Sequence, residues 1–201
     1  MTREIPCVWL EPSDRFSHRL RRFRALGPKG ERECPLGYGY HSRDIEIGQV
    51  VEGIEADVQE RASVLHSPPE EYQEQYPRLC DCGYTFLPDD PWQERFDRLY
   101  LLTPGEGLVT LHAAPVGAIW DAPWFVERGR YGGADGRCLV CRTPAGDWVI
   151  DGPASNGGRW VRTGEPPRLT VKPSIGFGPT VKLTYHAFLT DGKLIDVGEV
   201  V

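Results

Sequence analysis

The residues best suited to chemistry are three cysteines and one histidine in the first half of the chain. Cys34 and His41 lie in the stretch RECPLGYGYHS, whereas Cys80 and Cys82 lie in RLCDCGYTF. Both stretches contain glycine, and tight glycine-containing turns let two side chains converge on one ion. Thiolate sulfur and imidazole nitrogen are common zinc ligands, and four protein ligands make a closed, structural site. The sequence therefore predicts a structural Zn²⁺ bound by Cys34, His41, Cys80 and Cys82.

The spacing of these residues leaves alternatives open. Zinc ribbons use Cys-x2-Cys pairs, whereas one half of this set is Cys-x-Cys and the other is Cys-x6-His. Cys80 and Cys82 could instead be buried thiols beside a surface His41, or they could form a labile disulfide. Cys7 or His66 could also replace His41 as the fourth ligand.

The chain has six cysteines, and the other two, Cys138 and Cys141, lie three positions apart in RCLVCRT. This stretch is predicted to be a strand, in which positions three apart point to opposite faces. Burial is therefore predicted for both thiols. The first residues resemble no export signal, so we expect reduced thiols and a protein kept in a reducing cytoplasm.

A catalytic alternative centres on the loop VIDGPASNGGRW. Asp151, Ser155 and a histidine such as His186 could form a nucleophile arrangement, because serine needs a base and the base needs an orienting carboxylate. However, no Gly-x-Ser-x-Gly elbow frames Ser155. Asp151, Ser155 and Asn156 are better explained as turn-capping side chains. The sequence thus favours a non-enzymatic protein, with a hydrolase that uses this loop as an alternative.

Residues 13–25, SDRFSHRLRRFRA, are predicted to form a short amphipathic helix with phenylalanine and leucine on one face. The other face carries the residues predicted to bind a partner: Arg15, Arg19, Arg21, Arg22 and Arg24. They could contact phosphates or an acidic protein surface, or form a solvated face. Trp120 and Trp124, in IWDAPWF, are predicted to be partner anchors or core residues.

The composition indicates the fold class and excludes some partners. The chain of 201 residues has 23 glycines and 18 prolines, which indicates many turns, and its net charge of −6 gives no general attraction to nucleic acid or membrane. We predict an α+β, β-rich fold with two parts. Residues 1–91 would hold the short helix and a loop-rich module stapled by zinc. Residues 92–201 would form an antiparallel β-rich body.

Local patterns place some elements within these parts. Residues 136–152 are predicted to be a hairpin around TPAG, and residues 184–200 a closing hairpin around Asp-Gly. Residues 91–103, PWQERFDRLYLLT, are predicted to be a short helix that runs into a strand. Nowhere does the sequence contain the roughly 18 apolar residues of a membrane span.

Several stretches together resemble an uncharacterised family of tailed-bacteriophage and prophage proteins of unassigned function. They are CVWLEP, CPLGYGYHS, CDCGYTF, APVGAIWDAPWF, DGRCLVCRTPAGDWVIDGPASN, WVRTGEPP and YHAFLTDG. The resemblance covers most of the chain after residue 5 and is most specific in residues 115–167. Similar proteins carry a cysteine after Ser-Asn and a longer insert with further Cys and His, where this chain has only GGR. A second metal site in that loop is therefore not expected here.

The resemblance implies a phage gene product but no activity. We expect a non-enzymatic structural or interaction protein of the virion, such as a zinc-stabilised minor capsid or capsid-associated component that binds other capsid or head proteins. It would be found in the virion, or in the host cytoplasm before assembly. The alternative is an early regulatory protein that binds nucleic acid or a host complex through its N-terminal arginines.

Overall fold

The computed structural model describes residues 3–24, 34–35, 41–52, 64–65, 70–75, 77–154, 157–177 and 185–197. Within these ranges the chain is β-rich and divides into two compact units. The first, named here the sheet unit, comprises Met1–Pro12 and Tyr100–Val201. The second, the cysteine unit, comprises Ser13–Leu99.

The strands follow one another along most of the chain. They are β1 (Arg3–Pro6), β2 (Val8–Arg24), β3 (His41–Glu52), β4 (Val64–Leu65), β5 (Trp92–Thr103), β6 (Leu108–Thr110), β7 (Ala118–Asp121), β8 (Leu139–Thr143), β9 (Gly146–Val149), β10 (Val161–Thr163), β11 (Thr170–Phe177), β12 (Tyr185–Thr190) and β13 (Lys193–Asp196). The described ranges also contain a 3-10 helix at Glu70–Gln75 and a short helix, α1, at Pro123–Glu127. No helix in the described ranges has the length and apolarity needed to cross a bilayer.

The sheet unit contains a five-stranded antiparallel sheet in the order β1-β13-β12-β11-β10. The hairpin of β12 and β13 turns at Asp191 and Gly192, which both have positive φ, as two-residue hairpin turns require. The same unit pairs β7 with β8 and β8 with β9, and the β8–β9 hairpin closes where Thr143 faces Gly146. Both predicted hairpins are confirmed.

The core of the sheet unit follows from period-2 burial along its strands. In β12 the buried residues Tyr185, Ala187 and Leu189 alternate with more exposed ones, so one face of the sheet is apolar. These side chains pack in a cluster with Trp148 and Ile150. A second apolar cluster in this unit surrounds Leu10, Trp120 and Val140. The predicted β-rich C-terminal part is thus confirmed, with antiparallel pairing from β7 to β9 and from β10 to β13, whereas β7 pairs parallel with the start of β2.

The described strands of the cysteine unit are arranged around β2. The second half of β2 pairs antiparallel with β3, from Arg15 opposite Glu52 to Arg24 opposite His41, with a register shift between Ser17 and Arg19. β5 lies beside β2, and β4 pairs with β5. A separate small cluster contains Cys34, Cys80 and Phe86.

The predicted helix over residues 13–25 is wrong, because these residues belong to β2 up to Arg24. Phe16, His18, Leu20 and Arg22 are buried at every second position, and Arg19, at the register shift with β3, is buried as well. Since two of the alternating buried positions are polar, the sequence did not display the alternation of a strand.

The predicted helical start of residues 91–103 is also wrong, since β5 is a strand from Trp92 to Thr103. The units also divide the chain elsewhere than the predicted boundary between residues 91 and 92. Val8 and Trp9 pair with β7, which places the first residues of the chain in the sheet unit.

Candidate metal site

The four predicted ligands converge at one place in the cysteine unit. The ligand atoms of Cys34, His41, Cys80 and Cys82 all lie within 4.8 Å of one another. The His41 Nδ1 atom is 3.1 Å from the Cys82 Sγ atom. The structure therefore confirms that these residues form one cluster, which could hold a metal ion.

A tight turn places the two sulfur atoms of the CDCG stretch. The Cys80 N–H donates to the Tyr84 carbonyl at 2.8 Å, and the Gly83 N–H donates to the Cys80 carbonyl at 2.9 Å. Gly83 has a φ of 89°, a conformation in which other L residues are strained. Leu79 and Thr85 form a bridge that closes the turn. The local sequence thus presents Cys80 and Cys82 to the same point.

His41 reaches the cluster from the first position of β3. Its ring stacks on Tyr84, with the ring centroids 4.0 Å apart and an interplanar angle of 9°. Tyr84 in turn meets Phe86 edge to face at 5.9 Å. This stack fixes the plane of the imidazole, so that Nδ1 faces the sulfur of Cys82 and not the solvent.

The dimensions and burial of the cluster fit a tetrahedral metal ion. Metal–sulfur bonds of about 2.3 Å and metal–nitrogen bonds of about 2.0 Å place tetrahedral ligand atoms roughly 3.5 to 3.8 Å apart. Cys34, Cys80 and His41 are buried, with 2%, 3% and 7% of their surface exposed, and Cys82 is half-buried. A small adjustment of the spacing would close the four ligands around one ion.

The charges around the cluster also suit bound thiolates. Three thiolates and one divalent cation carry a net charge of −1. The Arg22 guanidinium lies 5.2 Å from the centre of the Phe86 ring, and the Arg24 guanidinium lies 5.9 Å from the centre of the Tyr84 ring. These cations stand against the aromatic rings that flank the ligands, so they oppose the negative charge of the site.

The other three cysteines belong to the sheet unit and are free, buried thiols. A hydrogen bond with the Cys7 thiol and complete burial raise the pKa of Cys141 well above its ordinary value. Burial, followed by the charges of Asp151 and Asp121, raises the pKa of Cys138 to about 11. The predicted burial of Cys138 and Cys141 is confirmed. Cys7 packs with Cys141 in an apolar cluster, and His66 lies outside the described residues.

The loop proposed for catalysis is tied to the backbone. The buried Asp151 carboxylate accepts the Leu139 N–H and the Arg162 Nε–H, each at 2.8 Å. Ser155 and Asn156 lie outside the described residues. Asp151 thus anchors the start of β8 and the side chain of Arg162, which are distant along the chain, and the capping of the turn by Asp151, Ser155 and Asn156 stays a prediction.

His186 has a partner that the sequence did not indicate. Its Nε2 atom is 2.8 Å from the Ser174 Oγ atom, whereas its buried Nδ1 atom has no hydrogen-bond partner among the described residues. Gly176 faces His186 across β11 and β12, so the antiparallel register brings Ser174 near. A serine–histidine pair without a carboxylate on the second nitrogen lacks the orienting group of a triad.

The arginines predicted to bind a partner form intramolecular contacts in the cysteine unit. Arg19 pairs with Asp44 at 2.6 Å and with Asp97, and Arg21 pairs with Asp44 at 2.6 Å. Burial raises the pKa of Asp44, but the hydrogen bond and charge of Arg21 and the charge of Arg19 outweigh it. The pKa of this carboxyl is therefore below its ordinary value.

The remaining arginines of this stretch vary in exposure. Arg22 is buried and donates to the Pro77 and Leu87 carbonyls. The Arg24 Nη1 atom lies 3.3 Å from the Asp90 Oδ1 atom. Arg15 is more exposed, and its Nε atom lies 3.6 Å from the Glu52 Oε1 atom. All five arginines lie on β2 and not on a helix. Their role in binding a partner stays a prediction.

The two predicted tryptophan anchors differ in their surroundings. Trp120 lies in β7 and is buried in the second apolar cluster of the sheet unit. Trp124 lies in α1, is half-buried, and packs against the same cluster. Trp120 is therefore a core residue, and partner binding by Trp124 stays a prediction.

Comparison of the chain with models of protein families, with curated proteins and with solved structures finds no match. The resemblance to bacteriophage proteins therefore stays a prediction, and the function has to be argued from the site.

Proposed function

We propose that this chain is a zinc-stabilised binding protein without catalytic activity, and that it serves as a component of a bacteriophage particle. The observation that carries the proposal is the convergence of Cys34, His41, Cys80 and Cys82 within 4.8 Å in a largely buried place. These residues lie on separate segments of the cysteine unit, and one ion would join all of these segments.

The donor set favours zinc over other biological cations. Three sulfurs and one imidazole nitrogen are soft or borderline ligands, which suit Zn²⁺, whereas Mg²⁺ and Ca²⁺ select oxygen. Among the metals that bind such sites, zinc has no redox chemistry and accepts a tetrahedral arrangement without preference from d electrons. A zinc cross-link would therefore not depend on the redox state of its surroundings.

The completeness of the donor set favours a structural role. Catalytic zinc sites have three protein ligands and leave the fourth position to water, whereas four protein ligands close the coordination sphere. The carboxylates that could have served in catalysis elsewhere are also occupied: Asp151 holds Leu139 and Arg162, and Asp121 accepts the Cys138 N–H at 3.1 Å. This supports a protein that works by binding.

The particle role is supported by the sequence resemblance in residues 115–167. The use of most N-terminal arginines in intramolecular ion pairs also argues against a broad basic surface for nucleic acid. A virion component therefore fits these residues better than an early protein that binds nucleic acid.

Elemental analysis of the purified full chain tests the metal. We expect one zinc ion per chain, and a strong loss of zinc in Cys80→Ser and Cys82→Ser. Cys138→Ser is the matched control, because it changes a buried thiol outside the cluster and should keep its zinc. Visible absorption of cobalt-substituted protein would report thiolate ligands. A wild-type protein without zinc that also fails to bind added Zn²⁺ or Co²⁺ would refute the site.

Mass spectrometry of purified virions from the phage that encodes this chain tests the role. We expect peptides of the chain in particles that withstand washing with high salt. If the chain occurs in infected cells soon after infection but is absent from purified particles, the particle role is wrong and a regulatory role replaces it.

A further inference from the structure

The outer face of the five-stranded sheet carries a groove of about 880 Å³, here named the β10 groove. It lies over β10, β11 and β12 in the sheet unit. Its walls include the apolar side chains of Val161, Pro173 and Phe188 and the cationic side chains of Arg159 and Lys172. None of these residues belongs to the metal cluster.

The groove presents apolar surface to solvent. Val161 is 67% exposed and Phe188 is 42% exposed, although both lie on strands. Their neighbours Val171 and Leu189 face the core and are buried, so the pleat turns Phe188 outward, and Val161 stands opposite the exposed Lys172. Exposed apolar side chains that share one groove, with polar residues at its rim, mark a surface for a partner.

The charge of the groove is of one sign. Arg159 and Lys172 line it, and no carboxylate is among its described lining residues. In the part of the chain that the structure describes, neither Arg159 nor Lys172 forms an ion pair. The chain as a whole carries a net charge of −6, so this cationic groove is a local exception. Two cations that have no ion pair among the described residues, next to exposed apolar side chains, favour a ligand that combines carboxylates with an apolar group.

The edge of the sheet at this groove is held in place by ion pairs. β10 is the last strand of the sheet, and its middle residue Arg162 binds Asp151 and Asp135. Burial raises the pKa of Asp135, but hydrogen bonds from Arg162 and Arg137 lower it well below its ordinary value. Asp135 therefore stays charged at neutral pH. An edge strand that is already ordered loses little freedom when a ligand binds.

We infer that the β10 groove binds an extended segment of a partner protein in which an apolar side chain is flanked by aspartate or glutamate. The three strands under the groove span about 10 Å, which corresponds to roughly three extended residues. The carboxylates lie near Arg159 and Lys172. The apolar side chain packs beside them on Val161 or Phe188, which lie on the strands to either side of Lys172. This contact lies in the sheet unit and does not depend on zinc.

Fluorescence anisotropy with the full chain and the labelled peptide acetyl-Asp-Glu-Phe-Glu-Asp-amide tests this inference. We expect saturable binding that weakens as salt is added. Replacing the peptide's phenylalanine by serine should weaken binding about tenfold, as should Val161→Asp in the protein. The double variant Arg159→Glu with Lys172→Glu should abolish binding. The double variant Arg128→Glu with Arg130→Glu makes the same charge change at exposed residues outside the groove and should bind normally.

Several results would overturn the inference. One is no binding of the peptide at about 1 mM, the weakest affinity expected for a specific contact. Another is equal binding of a peptide in which lysine replaces every acidic residue. A third is normal binding by the Arg159 and Lys172 double variant. Competition by a single-stranded oligonucleotide that binds more tightly than the peptide would assign the groove to phosphates, which also refutes it. Because zinc content is measured on the same samples, failure of the groove and failure of the metal site are distinguishable.

Discussion

The two units of this chain use different interactions to reach an ordered state. The sheet unit buries leucine, isoleucine, valine and tryptophan in two clusters that follow the alternation of its strands. Among its described residues, the cysteine unit has a small cluster built on cysteines and one phenylalanine, and β2 buries arginine and histidine as well as Phe16 and Leu20. The first resembles an ordinary β-protein core, whereas the second depends on polar groups that must be paired to remain buried.

The contrast between the two units indicates what stabilises the cysteine unit besides apolar burial. Burial contributes about 25 cal/mol per Å² of apolar surface, and the cluster around the described cysteines is small, so we expect a further source of stability there. In the cysteine unit that source is the proposed zinc site and the ion pairs around Arg19 and Asp44. The two units should therefore respond differently to chelation, core truncation and acid.

Removal of the metal should have the largest effect and should be confined to one unit. Structural zinc contributes apparent binding energies on the order of 10 kcal/mol in small zinc modules. After chelation, we expect amide hydrogens in Ser13–Leu99 to exchange rapidly, while those of β8, β9 and β12 stay protected. Hydrogen exchange with mass spectrometry of the full chain, with and without a chelator, measures this. Equal loss of protection in both units would show that they do not fold separately.

Truncation of the core of the sheet unit should give the second-largest effect. Leu139 is fully buried in β8, so Leu139→Ala removes apolar contacts and leaves a cavity, at a cost of about 2–5 kcal/mol in the free energy of unfolding. Denaturant unfolding measures the change. Zinc content should stay at the wild-type value. Leu101→Ala is the control, because Leu101 is 42% exposed and its loss should change stability by less than about 0.5 kcal/mol.

The comparison of the units also explains what could be predicted from the sequence. The hairpins around TPAG and Asp-Gly could be predicted because turn residues and alternating apolar residues are local signals. The metal cluster could be predicted because cysteine and histidine are recognisable metal ligands, and the glycines next to them indicate tight turns. Its completion by His41 depends on the register of β3 with β2, which local sequence does not show.

The second half of β2 could not be predicted because polar His18 and Arg22 occupy buried positions between apolar Phe16 and Leu20. His18 is 2.7 Å from Glu94 and stacks on Phe96, and Arg22 donates to the Pro77 and Leu87 carbonyls. All of these partners lie far along the chain, so the sequence of residues 13–25 alone resembles an amphipathic helix with a basic face. Tertiary pairing of buried polar groups thus overrode the local pattern.

Acid should weaken the cysteine unit through Asp44. The pKa of Asp44 is lowered in the folded protein, so its carboxylate stabilises the fold above its unfolded pKa of about 4 and loses this contribution as the pH falls toward the folded pKa. Asp44→Asn should cost about 1–2 kcal/mol at pH 7, and the difference from wild type should shrink at acid pH.

Denaturant unfolding at a series of pH values measures this difference. Glu52→Gln is the control, since Glu52 is exposed and its pair with Arg15 at 3.6 Å should contribute less than about 1 kcal/mol. An Asp44→Asn variant whose deficit is constant from neutral to acid pH would contradict the assigned ion pairs.

The smallest expected effect is that of alanine at two glycines with positive φ, one in the metal-binding turn and one in the sheet unit. Gly83 and Gly136 have φ values of 89° and 78°, and a Cβ atom at either position would meet nothing within 4 Å. Each substitution by alanine should therefore cost only the strain of a left-handed backbone, about 1 kcal/mol. Gly83→Ala acts on the turn that presents Cys80 and Cys82, so zinc affinity in a chelator competition should fall about fivefold. Gly136→Ala introduces the same strain in the sheet unit and should leave zinc affinity unchanged. An equal loss of zinc affinity in both variants would mean that the turn at Gly83 does not position the ligands.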